Sequence, residues 1–528
     1  MDTKIYSSLV SNKFFSTNDQ KKVHISLIDL LVLLGAVTLI SFVYVTNQSL
    51  WIDEGTTAWF ASLPTLKELI NTQISFSGSE VQMPFYIWYI WGWSKIFGIG
   101  ELSLRMANIP FIFLFLSTIL WASKILFKNR WAWIIAVVSP FICFYANEAR
   151  PYLAIMAFSS LATICFITYL VEPPISRNFM PWLCLLGVFL ASGMCMLSVF
   201  LIPVFLSTLF VAYKINRDML GTFLKDWLWP FLISLPFFVA LGGWFVWTLL
   251  KGYGGMRESP GLLNLSFAAY EFLGFLGLGP PRNLIRSAPG WHTFSQISYI
   301  VPLSIGLIGW LILTVSIIIR VLRNGINMCI GLMLWMMGAG ISLFFLTAFL
   351  FHFQFWGRHL AQFFPIFLLI IIGLAENGSQ NYFGSNLHYI ALYTLIVIWS
   401  FSSMRLVFSS DYKKDDYRSA VSNAVMAAGP WGTILWAASP ICGTYYGLYY
   451  TNGLMPKVYW PTRFPAILAM NWDKKEIEHA FQTNPHPIVL VIGKPDLFDQ
   501  SNGFHKAIIK HQAQIIAVPN AFRIYKIP

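Results

Sequence analysis

Charge is what this chain has least of. Only 11% of its 528 residues are Asp, Glu, Lys or Arg, where a soluble domain carries about 25%. That shortage excludes a soluble globular protein, and a 57% hydrophobic content excludes a disordered one. Cysteine is scarce as well. Five of the six (143, 165, 184, 195, 329 and 442) lie inside apolar segments and none forms a CxxC pair, so they read as small hydrophobes, without a disulfide frame or a metal pair. There is no internal repeat, no low-complexity tract, no Gly-x-x-x-x-Gly-Lys loop and no Asp-x-Asp metal motif of the kind a cytoplasmic nucleotide-sugar enzyme would want. Lys and Arg outnumber Asp and Glu 35 to 23, a net charge of +12. No dense basic run interleaved with aromatics occurs, so nucleic acid is the poorer partner. In a membrane chain such an excess marks cytoplasmic loops, sometimes with a site for anionic lipid.

What the chain does have is apolar length. A polar start ends in Gln20-Lys21-Lys22, and an apolar run of about 22 residues follows at 25–46. The run is too long for a signal-peptide core and has no small-x-small cleavage site, so it reads as an uncleaved first span. Further runs begin near Arg105, Trp131, Pro151, Trp182, Val199, Trp227, Ser298, Ile326, Leu360 and Leu387, which gives about eleven spans. The run 84–98 is shorter and rich in Trp and Tyr, the residues of the membrane interface. If it crossed, Lys124, Lys128 and Arg130 would lie outside. Laid in the interface, it puts those three on the cytoplasmic side, along with Arg177, Lys214, Arg217, Lys225, Arg320 and Arg323, as the positive-inside rule requires. The expected organisation is a cytoplasmic tail at 1–24, a transmembrane domain at 25–408 and a soluble α/β domain at 409–528. The first outer loop at 47–104 would hold interfacial helices, and a second outer loop lies at 251–296. In the terminal part, 434–438 and 488–492 read as strands and 473–482 as a helix.

Three groups of ionisable residues fall at the expected outward ends of spans. They are Asp53-Glu54 in Leu50-Trp51-Ile52-Asp53-Glu54-Gly55, Glu148 and Arg150 in Tyr145-Ala-Asn-Glu148-Ala-Arg150-Pro-Tyr152, and Arg358-His359 in Gln354-Phe-Trp-Gly-Arg358-His359. Each alone has a plainer reading: a solvated loop start, a local ion pair capping a helix end, or an interface anchor that snorkels. Together, at one depth and on one side, they point to a polar site opening outward. Charge near the membrane is expensive enough to need a reason.

The order of these motifs resembles the bacterial glycosyltransferase family 39/83 group, the relatives of protein O-mannosyltransferases and the lipid A aminoarabinose transferase. The sequence runs from Trp-x-Asp-Glu through Met83-Pro-Phe-Tyr86, Phe97-Gly98, Glu101-Leu-Ser-Leu-Arg105 and Asn-Glu-Ala-Arg-Pro-Tyr to Gly-Arg-His-Leu, and the likeness covers about residues 25–405. The Asp411-to-Arg418 segment, opening a terminal α/β domain, also recurs in bacterial members. The resemblance implies the GT-C fold with about 11–13 transmembrane helices. It also implies transfer of a sugar from a polyprenyl-phosphate donor to an acceptor hydroxyl on the non-cytoplasmic face of a bacterial inner membrane, by single displacement with inversion. The acceptor would be a glycan, a glycolipid or a protein. Asp53 would be the general base and Glu54 its tuning neighbour. Arg150, Arg358, His359 and Arg257 would hold the donor phosphate, while Glu148, Tyr152 and Trp51 would line the sugar or acceptor pocket. No metal or other cofactor is expected, although Asp53, Glu54 and Glu148 offer hard oxygen ligands.

The chemistry of the residues agrees with this implication. A departing phosphate needs fixed cations, and the Arg fork suits it. An attacking hydroxyl needs a carboxylate within reach. Two departures stand out. Gly55-Thr56-Thr57-Ala58 replaces an Arg that follows the acidic pair in the aminoarabinose transferases, and Gln82-Met83-Pro84 replaces a His-Pro-Pro or Lys-Pro. A compensating cation is sought among Arg257, Arg282 and Arg286 of the second outer loop. That loop also reads as a structural segment with solvated charges, or as a lid moving on Gly252-Tyr-Gly-Gly and Gly279-Pro-Pro. The rival reading is a transporter or flippase, against which stand the one-sided placement of the charges and the unlike halves.

Overall fold

The computed structural model describes residues 25–127, 131–171, 179–217, 219–254, 259–287, 291–376, 385–453, 457–470 and 472–527. Arg257, Lys128, Arg130 and Arg177 lie outside the described residues, as do the side chains of Arg286, Arg320 and Arg323.

Among the described residues, eight helices are long and apolar enough to cross a membrane: Glu101–Ile125, Tyr152–Val171, Met196–Ile215, Met219–Leu250, Ile297–Ile319, Met328–Leu350, Gly357–Leu374 and Ile390–Phe408. Two shorter apolar helices, Leu27–Val43 and Met180–Met194, accompany them. The chain is an integral membrane protein. Tyr152–Val171 is the hub, with nearly every residue buried, and it packs on Met180–Met194, on Ile109–Ile125 and on the later helix Phe364–Glu376. Met219–Leu250 and Ile297–Asn324 instead turn Leu, Ile, Phe and Val side chains outward, as lipid-facing helices do.

The apolar run that starts near Trp131 is not one span. It breaks into Ile134–Val137 and Pro140–Ala146, with Pro140 opening the second piece. Proline is at home in a first helical turn and ends what precedes it. Pro151 repeats the device before Tyr152–Val171. The residues between, 147–150, are therefore irregular, and Glu148 and Arg150 are presented by a tight loop. Asn108 holds that loop by donating from Nδ2 to the Glu148 carbonyl at 2.7 Å and the Ala146 carbonyl at 3.2 Å.

The run 84–98 forms the 14-residue helix Pro84–Phe97, between the apolar helices Leu27–Val43 and Glu101–Ile125. The C-terminal part holds a six-stranded sheet: β1 Thr433–Ala437, β2 Leu448–Tyr450, β3 Phe464–Leu468, β4 Ile488–Gly493, β5 Gln514–Ala517 and β6 Phe522–Ile527. The spatial order is β2-β3-β1-β4-β6-β5. The first four strands are parallel, and β6 runs antiparallel between β4 and β5. β4 is buried along its whole length. Its Val489 and Val491 face one core with Trp436, Phe522 and Tyr417, while Leu490 and Ile492 face another with Ile477, Phe481 and Phe504. A strand covered on both faces has to read as a continuous apolar run, and Ile488 to Ile492 does.

Candidate active site

The helix Ile52–Ser62 starts where it does because Trp51 is extended (φ −93°, ψ 176°) and Glu54, three residues on, accepts the Trp51 N–H at 3.4 Å. Asp53 and Glu54 therefore lie in the first turn, where the helix dipole favours negative charge. Their fates differ. Glu54 is fully buried. Arg105 grips it with two nitrogens, Nε to Oε1 at 2.9 Å and Nη2 to Oε2 at 2.7 Å. Ala149 N–H and Lys414 Nζ also donate to Oε1, at 2.8 and 2.9 Å. Burial alone would raise the Glu54 carboxyl, but Arg105 and Lys414 outweigh it and hold the group at about 2. A carboxylate so engaged has no room to take a proton. Its work is to join the first loop, the 147–150 loop and the start of the C-terminal part. Arg105 completes the knot by donating to the Thr46, Gln48 and Ser49 carbonyls at 2.8, 2.6 and 3.0 Å.

Asp53 stays open, with 28% of its side chain exposed. Arg358 approaches Asp53 Oδ2 with Nη1 at 3.4 Å across 305 residues of sequence, and its guanidinium also lies 5.6 Å from the centre of the Trp51 ring. His359 is occupied locally, since its Nδ1 accepts the Trp356 N–H at 3.0 Å and so braces the turn that presents Arg358. Arg150 is 3% exposed and turned inward. Its Nη1 pairs with Glu80 at 2.8 Å and also reaches Thr57 Oγ1 and the Asp53 carbonyl, each at 3.3 Å. That geometry makes Arg150 a brace beneath Asp53. Tyr152 is buried and close enough to Arg358, Arg150, Asp53 and Glu148 to sense their charges.

Glu148 is 2% exposed, and its Oε2 has no hydrogen-bond partner among the described residues. Burial raises its carboxyl against the pull of Lys414 and Arg282, which favours its protonated form relative to a free carboxylate. Of the three basic residues sought in the second outer loop, Arg282 reaches the cluster. It pairs with Glu271 and with the Tyr145 hydroxyl, and its guanidinium lies 4.4 Å from the Phe144 ring centre. Glu271 also lies directly against Gly357, so that any side chain at 357 would overlap its carboxylate.

Sequence reasoning missed Glu80, Glu271, Lys414 and Lys494. Glu101-Leu-Ser-Leu-Arg105 and Asp411-to-Arg418 were noticed as motifs, and both turn out to supply the knot around Glu54. Gly55 has a similar role. A methyl group there would overlap Cys442 Sγ of the helix Pro440–Tyr445, which packs on the Asp53 helix. Gly55→Ala is expected to destabilise the protein by about 1–3 kcal/mol. Adding Cys442→Ala should recover most of that loss. Unfolding of the two variants in detergent checks this, and an unchanged Gly55→Ala midpoint would show that the two helices are not in contact.

No family model matches the sequence, and no curated protein matches it. Solved structures do match. ArnT from Cupriavidus metallidurans in the apo state is 11% identical, with 94% of this chain and 98% of that chain covered and a TM-score of 0.50. ArnT from Cupriavidus metallidurans bound to undecaprenyl phosphate is 12% identical, with the same coverage and TM-score. The chain has the GT-C fold that its sequence resemblance implies.

Proposed function

We propose that this protein is an integral-membrane glycosyltransferase that moves a sugar from a polyprenyl-phosphate donor to an acceptor hydroxyl. The observation that carries the reading is the partly exposed pair of Asp53 and Arg358, 3.4 Å apart, with the Arg358 charge acting on the buried carboxyl of Glu148. A structure of the same fold holding undecaprenyl phosphate supports the donor class. The acceptor would be a glycan, glycolipid or protein.

In this mechanism Asp53 accepts the proton of the attacking hydroxyl. General base catalysis of this kind is worth about 10²–10⁴ in rate. Arg358 holds the departing phosphate by its fork, with Arg282 as the second cation in reach of the cluster. Arg150, Glu54 and Arg105 fix the positions of these groups without touching substrate. Glu148 hydrogen-bonds the sugar or the acceptor, and Trp51 and Tyr152 supply the flat surfaces sugars prefer. Attack opposite the leaving phosphate inverts the anomeric carbon. In the bilayer we place residues 25–408 as the catalytic part, the N-terminus in the cytoplasm and 409–528 on the periplasmic side of an inner membrane. The position of Lys124 and Lys214 at the opposite helix ends supports this orientation.

Arg358→Ala should weaken binding of undecaprenyl phosphate by about 10–100-fold, the worth of a charge-assisted contact. Ligand-induced protection against thermal unfolding measures it. Unaltered affinity would remove Arg358 from the phosphate site. Release of undecaprenyl phosphate from a labelled lipid-linked sugar separates this reading from a transporter, which would move the lipid without cleaving it.

A further inference from the structure

The C-terminal sheet presents its parallel strands β2, β3, β1 and β4 with a common carboxyl edge, the edge at which α/β sheets place their ligand-facing loops. β4 ends at Gly493, and Lys494 follows with φ at 48°. Left-handed backbone is unfavourable for a residue with a side chain. Glycine would relieve it, yet lysine stands there. Its Nζ lies 2.6 Å from Asp415 Oδ2, with side chains 12% and 3% exposed. The same Nζ is 5.6 Å from the Trp51 ring centre. Arg358 is 5.6 Å from that ring as well. One indole is thus shared by a cation from the transmembrane part and a cation from the α/β part. Trp51 also opens the helix that carries Asp53, and its Nε1 is buried with no hydrogen-bond partner among the described residues, so hydrogen bonding does not fix the ring. The two cations over the ring are attracted to its quadrupole.

We infer that Lys494 is a positioning residue of the site. Anchored by Asp415, it holds the Trp51 indole, and the indole sets where the Arg358 guanidinium stands relative to Asp53. The α/β part is then a working wall of the site. This inference rests on the function proposed above and deepens it.

The test uses the full-length protein in lipid nanodiscs, with undecaprenyl phosphate as the probe. Lys494→Met should weaken its binding about tenfold, a change of about 1.4 kcal/mol. Lys494→Arg should restore affinity, and Lys494→Met should lower the unfolding midpoint as well, because it takes this cation from the buried Asp415 carboxylate, so affinity is compared at a temperature where both variants are folded. In a Trp51→Phe background Lys494→Met should add little further loss, because residues acting through one another are not additive. Asp415→Asn should weaken binding in the wild-type background and not in Trp51→Phe, which keeps the test open should Lys494→Met fold poorly. Wild-type affinity in both Lys494→Met and Asp415→Asn, or fully additive losses with Trp51→Phe, would overturn the inference while leaving the proposed function standing. A wild-type protein that does not bind undecaprenyl phosphate would overturn both.

Discussion

Replacing Asp53 by Asn is expected to lower transfer by about 10²–10⁴-fold, the full worth of a general base, with folding and undecaprenyl phosphate binding close to wild type. The size of the effect follows from the contrast between two neighbouring carboxylates. Glu54 is enclosed and receives donors from Arg105, Ala149 and Lys414. The Asp53 side chain has one long polar contact among the described residues, to Arg358, and is 28% exposed. Only the second has lone pairs to offer a substrate hydroxyl. The amide keeps the shape and loses the basicity, so the loss should fall on kcat. A variant that retains the full rate would remove Asp53 from the chemistry.

Replacing Arg105 by Met should be the most destabilising single change, costing about 3–5 kcal/mol, because it leaves the Glu54 carboxylate buried with its bidentate partner gone. Three backbone carbonyls, of Thr46, Gln48 and Ser49, lose a donor at the same time. The double variant Arg105→Met with Glu54→Gln should be milder than Arg105→Met alone, since no charge is then left stranded. Denaturant unfolding of the three proteins measures the difference, and equal losses would show that the pair carries no coupling. The same pair predicts an acid limit. Glu54 stands at about 2 in the folded protein against 4.5 for the free group. A depressed carboxyl contributes stability that is complete above the free value and drains away as pH falls from 4.5 through 2. Wild type should weaken across that window, and Glu54→Gln should show less of the decline.

The elements that carried a strong local pattern were legible. The strands expected at 434–438 and 488–492 are Thr433–Ala437 and Ile488–Gly493, and the helix expected at 473–482 is Lys474–Thr483. A buried parallel strand has to be apolar throughout, and an amphipathic helix has to repeat, so both write their pattern into the chain. The run near Trp131 misled because composition reports apolarity and not continuity; Pro140 was the signal that the helix restarts. In the site, the expectation that Asp53 and Arg358 meet rested on motif order and side of the membrane, and the structure joins them. Arg150 was expected on phosphate, and its pairing with Glu80 was hidden. Glu80 lies in a short 3-10 turn with no periodicity to mark it. Lys494 was equally silent, since one cation after a strand looks like any solvated loop residue until the sheet is docked.

The contacts between the Asp53 helix and the α/β part have a consequence for biosynthesis. Leu50 N–H and the Tyr446 hydroxyl, 2.8 Å apart, come from positions separated by 396 residues. During translation the first emerges early and waits through the insertion of all the later spans. A nascent chain therefore lacks this contact until residue 446 has been made and its segment has folded back onto residue 50.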